Sequence, residues 1–386
     1  MTVTALRPVL YLHSSAGRYG ADRQLAAIVG GLDRSTFRAI VVLAEDGPLA
    51  GDLRDLGAEV LVRPLAVLRR ELLSPAGLVQ VAGAFAADAG GLGRLARGRD
   101  VALVHTNTSV TLGGAATARV AGVPHVWHVR EIYAGFDRWW PTYRRLLLSA
   151  DALPCVSDAV RAQFAGAPRA GRAVVLPDGL AVDGALPDRA ASRRALGLSE
   201  DRFVVVLLGR LSAWKGQSVL VEALAREPLA GDGRTTAVLA GAAWREDPRL
   251  PEELRRRAAA LDIGDRVLLP GFVDDVAALY AAADVVAVPS TQPDPLPNAA
   301  LEAAAAGCCV VAADHGGLGE ILDHGRTGLL VRPGDPAALA VALGELRDAP
   351  ARRRALGAAA REDVRARFGA ARLAERLQDL YAGVLR

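Results

Sequence analysis

The amino-acid sequence predicts an α/β protein with two doubly wound parallel sheets. Short apolar runs rich in valine and leucine alternate with helical segments along the whole chain. Polar or glycine-rich turns follow several of these runs, as they do at the carboxyl edge of a parallel sheet. The 386 residues are too many for a typical single domain and enough for two. We therefore expect domains over residues 1–185 and 186–365, and a final helix over residues 366–386.

The composition narrows the class of protein. Apolar residues make up 51% of the chain, yet no uncharged apolar run reaches about 18 residues, so the sequence predicts no transmembrane helix. The N-terminal segment lacks the long apolar stretch and the cleavage site of a signal peptide. The three cysteines lie in apolar runs without zinc spacing, which predicts no disulfide and no metal site and favours the cytoplasm. The net charge of +3 gives no argument for nucleic-acid binding.

The first domain begins with a strand and a glycine-rich loop. Apolar runs predict its strands at residues 9–12, 39–43, 59–62, 101–105, 126–129, 152–156 and 174–177, with a mostly helical segment at 65–97. A loop containing Gly17 and Gly20 follows the first strand and leads into a helix predicted over about residues 23–32. Small residues at such a turn allow a ligand to approach the backbone. The loop lacks the Gly-Lys-Ser/Thr ending of a P-loop, and a tight β–α turn is the alternative interpretation.

Polar residues follow two further strands of this half. Asn107 and Thr108 come just after the strand at 101–105, where they would either contact a ligand or cap the next helix. His128, Arg130 and Glu131 cluster at the end of the strand at 126–129. Arg130 and Glu131 are expected either to pair with each other or to face a ligand, and a buried structural role is the alternative for His128.

Residues 136–148 mix tryptophan, tyrosine and arginine, and residues 68–73 form a second stretch of arginine and leucine. Such side chains suit a membrane interface, so a peripheral membrane contact through 136–148 is one interpretation. An ordinary amphipathic helix that packs over the core is the other. A linker with a short helix is expected over residues 181–201.

The second domain opens with the fully apolar strand at 203–208, as expected in the centre of a parallel sheet. Gly209 and Arg210 follow this strand, and Lys215 and Gly216 stand at the start of a helix. Two cations and a helix N-terminus thus converge where a diphosphate would bind, and a solvated helix end is the alternative. Lys215 is the only lysine in the chain, which indicates a demand for a compact ammonium group.

The stretch over residues 281–331 organises the rest of this domain. Its elements are predicted as a strand at 284–288, a turn rich in proline and aspartate, a helix at 299–306 capped by Asn298, and a strand at 309–313. Asp294 lies in the turn, and Glu302 follows eight residues later on the helix. Further strands are predicted at 237–240 and 267–270, and further helices at 335–348, 351–367 and 368–385.

These motifs resemble the retaining GT-B glycosyltransferases of family 4. The resemblance is carried by Gly209-Arg210…Lys215-Gly216, by Asp294-x7-Glu302, by Gly316-Gly317-x-x-Glu320 and by Gly325-x-x-Gly328-Leu329-Leu330-Val331. It implies the GT-B architecture, in which two Rossmann-like domains face each other across a cleft and the last helix crosses back to the first domain. Two departures stand out. The family has glutamate where this chain has Asp294, and relatives have an Asn-Gly turn where this chain has Asp178.

The resemblance also implies roles for individual residues. Catalytic roles fall on His128, Arg210, Lys215 and Asp294. Donor-binding roles fall on Gly17, Gly20, Gly209, Phe272, Pro297, Asn298, Ala299, Glu302 and Gly317. Acceptor-side roles fall on Asn107, Thr108, Arg130 and Glu131. No metal and no other cofactor is expected.

The implied activity is transfer of a sugar, with retention and by a front-face mechanism, from a nucleoside-diphosphate sugar to a hydroxyl group. UDP is the commonest nucleotide among relatives and GDP the next. The acceptor would be a glycan, a lipid-linked molecule or a natural product, and the enzyme would act in the cytoplasm, with the inner face of the membrane as an alternative. Two other functions stay open: a nucleotide-sugar 2-epimerase of the same fold, and an inactive homologue that binds sugar nucleotides.

Overall fold

The computed structural model describes residues 6–69, 72, 74–133, 136–180, 185–243 and 247–386. The chain divides into two compact units. Unit 1 consists of Met1–Ala181 together with Ala370–Arg386, and unit 2 consists of Val182–Gly369. Each unit contains a parallel sheet with helices on both faces, which confirms the predicted α/β class.

Unit 1 contains a parallel sheet with the strand order β3-β2-β1-β4-β5. Its strands are β1 (Arg7–His13), β2 (Phe37–Leu43), β3 (Glu59–Val62), β4 (Leu103–Thr106) and β5 (His125–Trp127). A two-stranded sheet of β6 (Leu153–Cys155) and β7 (Ala173–Val175) continues from it, because single bridges join Val126 to Ala152 and Val129 to Cys155. The strand predicted at 126–129 is therefore shorter, since Val129 forms only one such bridge.

The helices of unit 1 before its linker are α1 (Gly20–Gly30), α2 (Pro48–Asp55), α3 (Pro75–Gly98), α4 (Gly113–Ala121), α5 (Trp140–Leu147) and α6 (Asp158–Ala162). Two of them differ from the prediction. Helix α1 begins at Gly20, earlier than expected. Helix α3 begins only at Pro75, because the Ser74 side chain accepts a hydrogen bond from the Gly77 N–H and Pro75 fits the first helical position.

The alternating side chains of the unit 1 strands form two cores. One face, including Tyr11 and Val41, packs against α1 and α2. The opposite face, including Leu10 and Ile40, packs against α3 and α4. Both faces are apolar because a doubly wound parallel sheet is covered by helices on each side.

Unit 2 contains a six-stranded parallel sheet with the order β10-β9-β8-β11-β12-β13. Its strands are β8 (Phe203–Leu208), β9 (Thr235–Ala240), β10 (Val267–Gly271), β11 (Val285–Val288), β12 (Cys309–Ala313) and β13 (Leu329–Val331). The strand order reverses between β8 and β11, as it does between β1 and β4 in unit 1. The carboxyl ends of strands at such a switch point form the usual ligand crevice of an open α/β sheet.

The helices of unit 2 are α7 (Arg189–Ala195), α8 (Gln217–Leu224), α9 (Leu250–Ala260), α10 (Val276–Ala282), α11 (Asn298–Ala306), α12 (Leu318–Ile321), α13 (Pro336–Asp348) and α14 (Pro350–Arg367). The prediction of Asn298 as an N-cap was wrong. Pro297 takes the cap position in an extended conformation, and Asn298 is the first helical residue. Residues 181–184 of the predicted linker lie outside the described residues.

An arginine cluster lies at the amino edge of the unit 2 sheet, away from the switch-point crevice. The carboxylate of Asp284, just before β11, contacts Arg189 and Arg193 at 2.7 Å and Arg353 at 3.1 Å. It also accepts the Val204 N–H at 2.8 Å. The Arg193 side chain is only 1% exposed and donates further hydrogen bonds to backbone carbonyls. This cluster joins α7 and α14 to the start of the central strands.

The last helix, α15 (Ala370–Val384), belongs to unit 1, which confirms that the chain crosses back to its first half. Leu373 and Leu377 pack into the core beside α1. The hydroxyl of Tyr381 lies 2.5 Å from His105 Nδ1 and 3.1 Å from the hydroxyl of Tyr11. Among the described residues, no helix is long and apolar enough to cross a bilayer.

Candidate functional site

The loop after β8 carries the cations predicted to bind a diphosphate. Gly209 and Gly216 both have positive φ, +155° and +82°. A Cβ on Gly216 would lie 1.9 Å from the carbonyl oxygen of Pro289, so only glycine lets the start of α8 approach the end of β11 so closely. The predicted residues Arg210 and Lys215 lie between these two glycines, at the switch point of the unit 2 sheet.

Lys215 contacts the predicted sugar-binding carboxylate directly. Its Nζ donates to Asp294 Oδ2 at 2.6 Å and lies 4.2 Å from the centre of the Trp214 ring. The side chains of Lys215 and Asp294 are 19% and 6% exposed. The structure therefore brings together two residues that lie 79 positions apart in the sequence. Trp214 was not among the predicted site residues, although it directly precedes the lysine.

The Gly316-Gly317 pair holds the turn that carries Asp294. The Gly317 N–H donates to the Asp294 carbonyl at 2.8 Å. A Cβ on Gly316 would lie 2.3 Å from that same carbonyl oxygen, and one on Gly317 would lie 2.1 Å from the Pro295 oxygen. The glycine pair therefore supports the Asp294 turn, and the donor-binding role of Gly317 stays a prediction.

Several buried polar atoms at this edge have no hydrogen-bond partner within the described part of the chain. They are Ser212 Oγ, Gln217 Oε1, Ser290 Oγ, Asn298 Oδ1 and His315 Nδ1. Buried polar groups in proteins are nearly always hydrogen-bonded. The carboxyl edge of the unit 2 sheet therefore offers several hydrogen-bonding groups to a polar ligand.

The remaining predicted donor contacts lie around the same edge. Glu302 Oε2 accepts the hydroxyl of Tyr280 at 3.1 Å, a partner on α10 that the sequence pattern does not reveal. Phe272 follows Gly271 at the end of β10 and is 51% exposed. Pro297 and Ala299 flank the first residue of α11. Among the described residues, no three histidine, cysteine, aspartate or glutamate side chains are grouped to hold a metal ion.

In unit 1 the glycine-rich loop is held by a buried carboxylate that the sequence analysis does not single out. Asp22 accepts hydrogen bonds from His13 at 2.8 Å, from the Ser15 hydroxyl at 2.6 Å and from the Tyr19 N–H at 2.9 Å. Burial alone would raise the pKa of Asp22, but the His13 contact and the other donors keep it below its usual value. The sequence could have indicated a role for Asp22, because an acidic residue in the first turn of a helix is typical of a helix start.

The acceptor-side candidates form a connected network at the carboxyl edge of the unit 1 sheet. The Asn107 amide lies 3.2 Å from His13 Nδ1, and its carbonyl accepts Arg130 Nε at 3.0 Å. The Thr108 hydroxyl lies 3.3 Å from that of Ser14. Asn107 and Thr108 are almost fully buried, so the structure places them beneath the loop, in contact with its residues.

Of the two alternatives for Arg130 and Glu131, a pairing of their side chains with each other is not found. The guanidinium of Arg130 pairs with Asp178, and both side chains are 6% exposed. Only the backbone N–H of Arg130 donates to Glu131, whose carboxylate also accepts the N–H and hydroxyl of Ser109. Burial raises the pKa of Glu131 despite these donors. The Arg130 pair gives a physical reason for an aspartate at position 178.

His128 is completely buried, with its ring centre 5.6 Å from that of His105. Neither ring nitrogen forms a well-aligned hydrogen bond within the described residues. Burial and the nearby positive charge of Arg130 hold the pKa of His128 well below the usual value. A contact of His128 with a donor sugar stays a prediction, and the position found agrees with the structural alternative.

Acid should destabilise unit 1 through its buried histidines. Burial lowers the pKa of His105 and His125 to about 3, so both stay neutral in the fold and take up protons on unfolding. The free energy of unfolding should fall as the pH drops below about 6.5, by about 2 kcal/mol per histidine near pH 5.

The measurement is urea unfolding near pH 7 and near pH 5, for the wild type and for His125→Asn. Raised pKa values at Glu131 and Asp178 act in the opposite sense, so the difference between the two proteins is the informative quantity. An equal pH dependence in both proteins would contradict the assignment of a neutral buried His125.

The aromatic segment at 136–148 packs mainly against itself. Trp140 stacks on Tyr133 with ring centres 5.0 Å apart, and Phe136 and Tyr143 complete the cluster. Trp139 is the exception, since it is 47% exposed. This arrangement agrees with an amphipathic helix over the core, and the membrane contact stays a prediction. Residues 70, 71 and 73 of the second stretch lie outside the described residues.

Sequence comparisons match both halves of the chain to glycosyltransferase families. Residues 19–183 match the family described as Glycosyltransferase Family 4, and residues 188–363 match that described as Glycosyl transferases group 1. The D-inositol 3-phosphate glycosyltransferase of Geodermatophilus obscurus is 35% identical over 326 residues, which cover 81% of this chain and 69% of the relative. The enzyme of the same name from Nocardia farcinica is 34% identical over 349 residues, covering 88% and 74%.

Solved structures show the same architecture. HepE of Anabaena, in complex with UDP and glucose, superposes with a TM-score of 0.84 at 26% identity, over 97% of this chain and 99% of HepE. Its complex with UDP-glucose gives 0.83 at 27% identity, over 97% and 99%. WaaG, at 17% identity and a TM-score of 0.72 over 97% and 100%, supports the fold alone. With these matches the GT-B fold class is confirmed, and the chain belongs to family 4 of the glycosyltransferases.

Proposed function

We propose that this glycosyltransferase uses a UDP-sugar donor, retains the anomeric configuration and needs no metal. The observation that carries the proposal is the Lys215–Asp294 contact beside Gly209-Arg210 at the switch point of unit 2. A cation suited to a diphosphate would then lie next to a carboxylate suited to sugar hydroxyls, which is the order of groups along a nucleotide sugar.

Arg210, Lys215 and the N-terminus of α8 would hold the diphosphate. When the bond between the sugar and the diphosphate breaks, negative charge develops on the departing oxygen. Fixed cations aimed at that oxygen stabilise the transition state more than the ground state. We propose that these two side chains supply the charge that a metal ion supplies in other transferases, so that activity persists in EDTA.

Asp294 and Glu302 would accept hydrogen bonds from hydroxyl groups, Asp294 from the sugar and Glu302 from the ribose. An ionised carboxylate has about four acceptor sites, so the contact of Asp294 with Lys215 leaves capacity for hydroxyl donors. The ion pair with Lys215 makes the Asp294 carboxylate a weaker nucleophile. This suits a hydrogen bond with a sugar hydroxyl better than attack on the anomeric carbon.

We therefore favour front-face attack as the chemical step. The bond from the anomeric carbon to the diphosphate oxygen breaks, and the acceptor oxygen forms its bond on the same face. The proton of the acceptor hydroxyl passes to the departing phosphate oxygen, so no separate protein base is needed.

The choice of UDP rests on a structural neighbour, and one side chain of this protein supports a nucleobase contact without distinguishing the base. HepE, at 26–27% identity, is solved in complexes with UDP and UDP-glucose. In this chain the half-exposed Phe272 offers an apolar side chain at the end of β10, next to Gly271 with its φ of +81°. An exposed aromatic ring at a sheet edge suits stacking with a nucleobase. GDP is the second choice.

For the acceptor we propose a carbohydrate-type hydroxyl, borne by a glycan, a lipid-linked molecule or a small natural product. The relatives named D-inositol 3-phosphate glycosyltransferase support a polyhydroxylated acceptor. Asn107, Thr108, Arg130 and Glu131 lie together at the unit 1 switch point and are the residues we assign to this side.

Thermal unfolding with UDP, GDP, dTDP and ADP, each with EDTA, tests the donor site. A nucleotide present at about 100 times its dissociation constant should stabilise the protein by about 2.7 kcal/mol. We expect this stabilisation with UDP. A second assay measures transfer or hydrolysis with labelled UDP-glucose. A thermal shift without turnover would favour an inactive homologue that binds sugar nucleotides. A shift with GDP alone would mean that the donor nucleotide is GDP and not UDP. No shift with any nucleotide would contradict the proposal.

A further inference from the structure

The side chains of Lys215 and Asp294 are in direct contact. The ammonium group lies between the carboxylate, at 2.6 Å, and the Trp214 ring, at 4.2 Å. Asp294 is more deeply buried than Lys215. The cation assigned to the diphosphate is therefore already neutralised by a buried negative charge.

Asp294 is the fixed member of this pair. Its carbonyl is held by the Gly317 N–H at 2.8 Å, and the glycine pair packs against the 294–295 backbone with no room for a side chain. An aspartate side chain has only two rotatable bonds, whereas lysine has four. A diphosphate that binds Lys215 must therefore share the ammonium with Asp294 or draw it away, and the carboxylate stays close to the incoming charge.

We propose that Asp294 makes the site favour the intact donor over its nucleoside-diphosphate product. This inference rests on the proposed function and deepens it. With the intact donor, sugar hydroxyls donate to Asp294 and replace the hydrogen bond from Lys215. With the product alone, Asp294 has no such donors, and the terminal phosphate brings an extra negative charge close to it. Asp294 thus opposes product binding and helps product release.

The size of the effect follows from Coulomb interaction. Two negative charges close together near a protein surface repel each other, and solvent and salt remove a part of that repulsion. Removing the charge of Asp294 should therefore tighten UDP binding by roughly tenfold. The same change should leave UDP-glucose binding unchanged or weaken it, because a hydroxyl acceptor is lost together with the repulsion.

The experiment measures dissociation constants for UDP and UDP-glucose by calorimetry, for the wild type and for Asp294→Asn. Asp201→Asn serves as the matched control, since it makes the same chemical change at an exposed position before β8. Asp294→Glu restores the charge and should return the ratio of the two constants toward the wild-type value. Thermal unfolding of each variant checks that it is folded, and Asp294→Ser replaces Asp294→Asn if that variant is not.

We expect the dissociation constant for UDP to fall by about fivefold or more in Asp294→Asn, without an equal fall in the dissociation constant for UDP-glucose. Equal changes for both ligands, or none, would overturn this inference and leave the proposed donor site standing. Absence of binding of either ligand to the wild type would overturn the proposed UDP donor together with this inference.

Discussion

Replacing Lys215 with alanine should lower the rate of sugar transfer by roughly 10²- to 10³-fold, the cost of removing one preorganised charge from a transition state. The loss should appear in kcat, because the charge on the diphosphate grows as the sugar bond breaks, and also in KM, because the same cation holds the diphosphate of the bound donor. The stabilisation of the protein by UDP should also largely disappear. Transfer to an acceptor, or hydrolysis of labelled donor, provides the measurement.

Three controls make this result specific. Lys215→Arg keeps the charge but changes its shape and should retain part of the rate. Arg332→Ala removes an 82% exposed cation from unit 2 and should change neither the rate of transfer nor the stabilisation by UDP. The double variant Lys215→Ala with Asp294→Asn removes the buried carboxylate that the alanine would leave unpaired, and it separates that effect from the loss of the cation. Wild-type turnover in Lys215→Ala would rule out a role for this lysine.

Replacing Asp284 with asparagine should lower the free energy of unfolding of unit 2 by about 3–5 kcal/mol, the usual cost of breaking a buried ion pair on one side. The change leaves Arg193, almost fully buried, without its charge partner. Burial already lowers the pKa of Arg193, and the charge of Asp284 opposes that shift. Arg189 and Arg353 then add repulsion around the same point.

Urea unfolding is the measurement for this variant. Asp323→Asn is the matched control, because its partner Arg326 is exposed and a surface pair contributes about 0–1 kcal/mol. The folded fraction of Asp284→Asn should keep its nucleotide binding, since the cluster lies at the amino edge of the sheet and the proposed donor site lies at the carboxyl edge. A stability close to that of the control would show that the three arginines need no carboxylate.

The fold could be predicted in most of its strands because these are apolar runs bounded by residues that break regular structure. Glu59–Val62, Phe203–Leu208 and Cys309–Ala313 match the prediction at both ends. Strand β13 was missed, since three residues within a glycine-rich motif give no periodicity to recognise. The start of α11 was misplaced because asparagine is a good cap in isolation, yet the extended Pro297 already occupies that position.

The site could be predicted only where its residues follow one another along the chain. Gly209-Arg210 and Lys215-Gly216 form such a motif, and the structure places them at one edge. Contacts between distant segments gave no signal: Arg130 and Asp178 lie 48 positions apart, and Tyr280 and Glu302 lie 22 apart. The burial of His128 also depends on packing that a single sequence does not specify.

The discontinuity of unit 1 has a consequence for synthesis on the ribosome. Tyr381 contacts Tyr11 and lies 370 positions later in the sequence. This contact of β1 can therefore form only after Tyr381 has been synthesised. Translation at about 5–20 residues per second makes that delay roughly 20–75 s. Unit 2 is continuous and can complete its sheet earlier. The first half of the chain therefore lacks the cover of α15 over its core until that helix is synthesised, whereas unit 2 can fold before then.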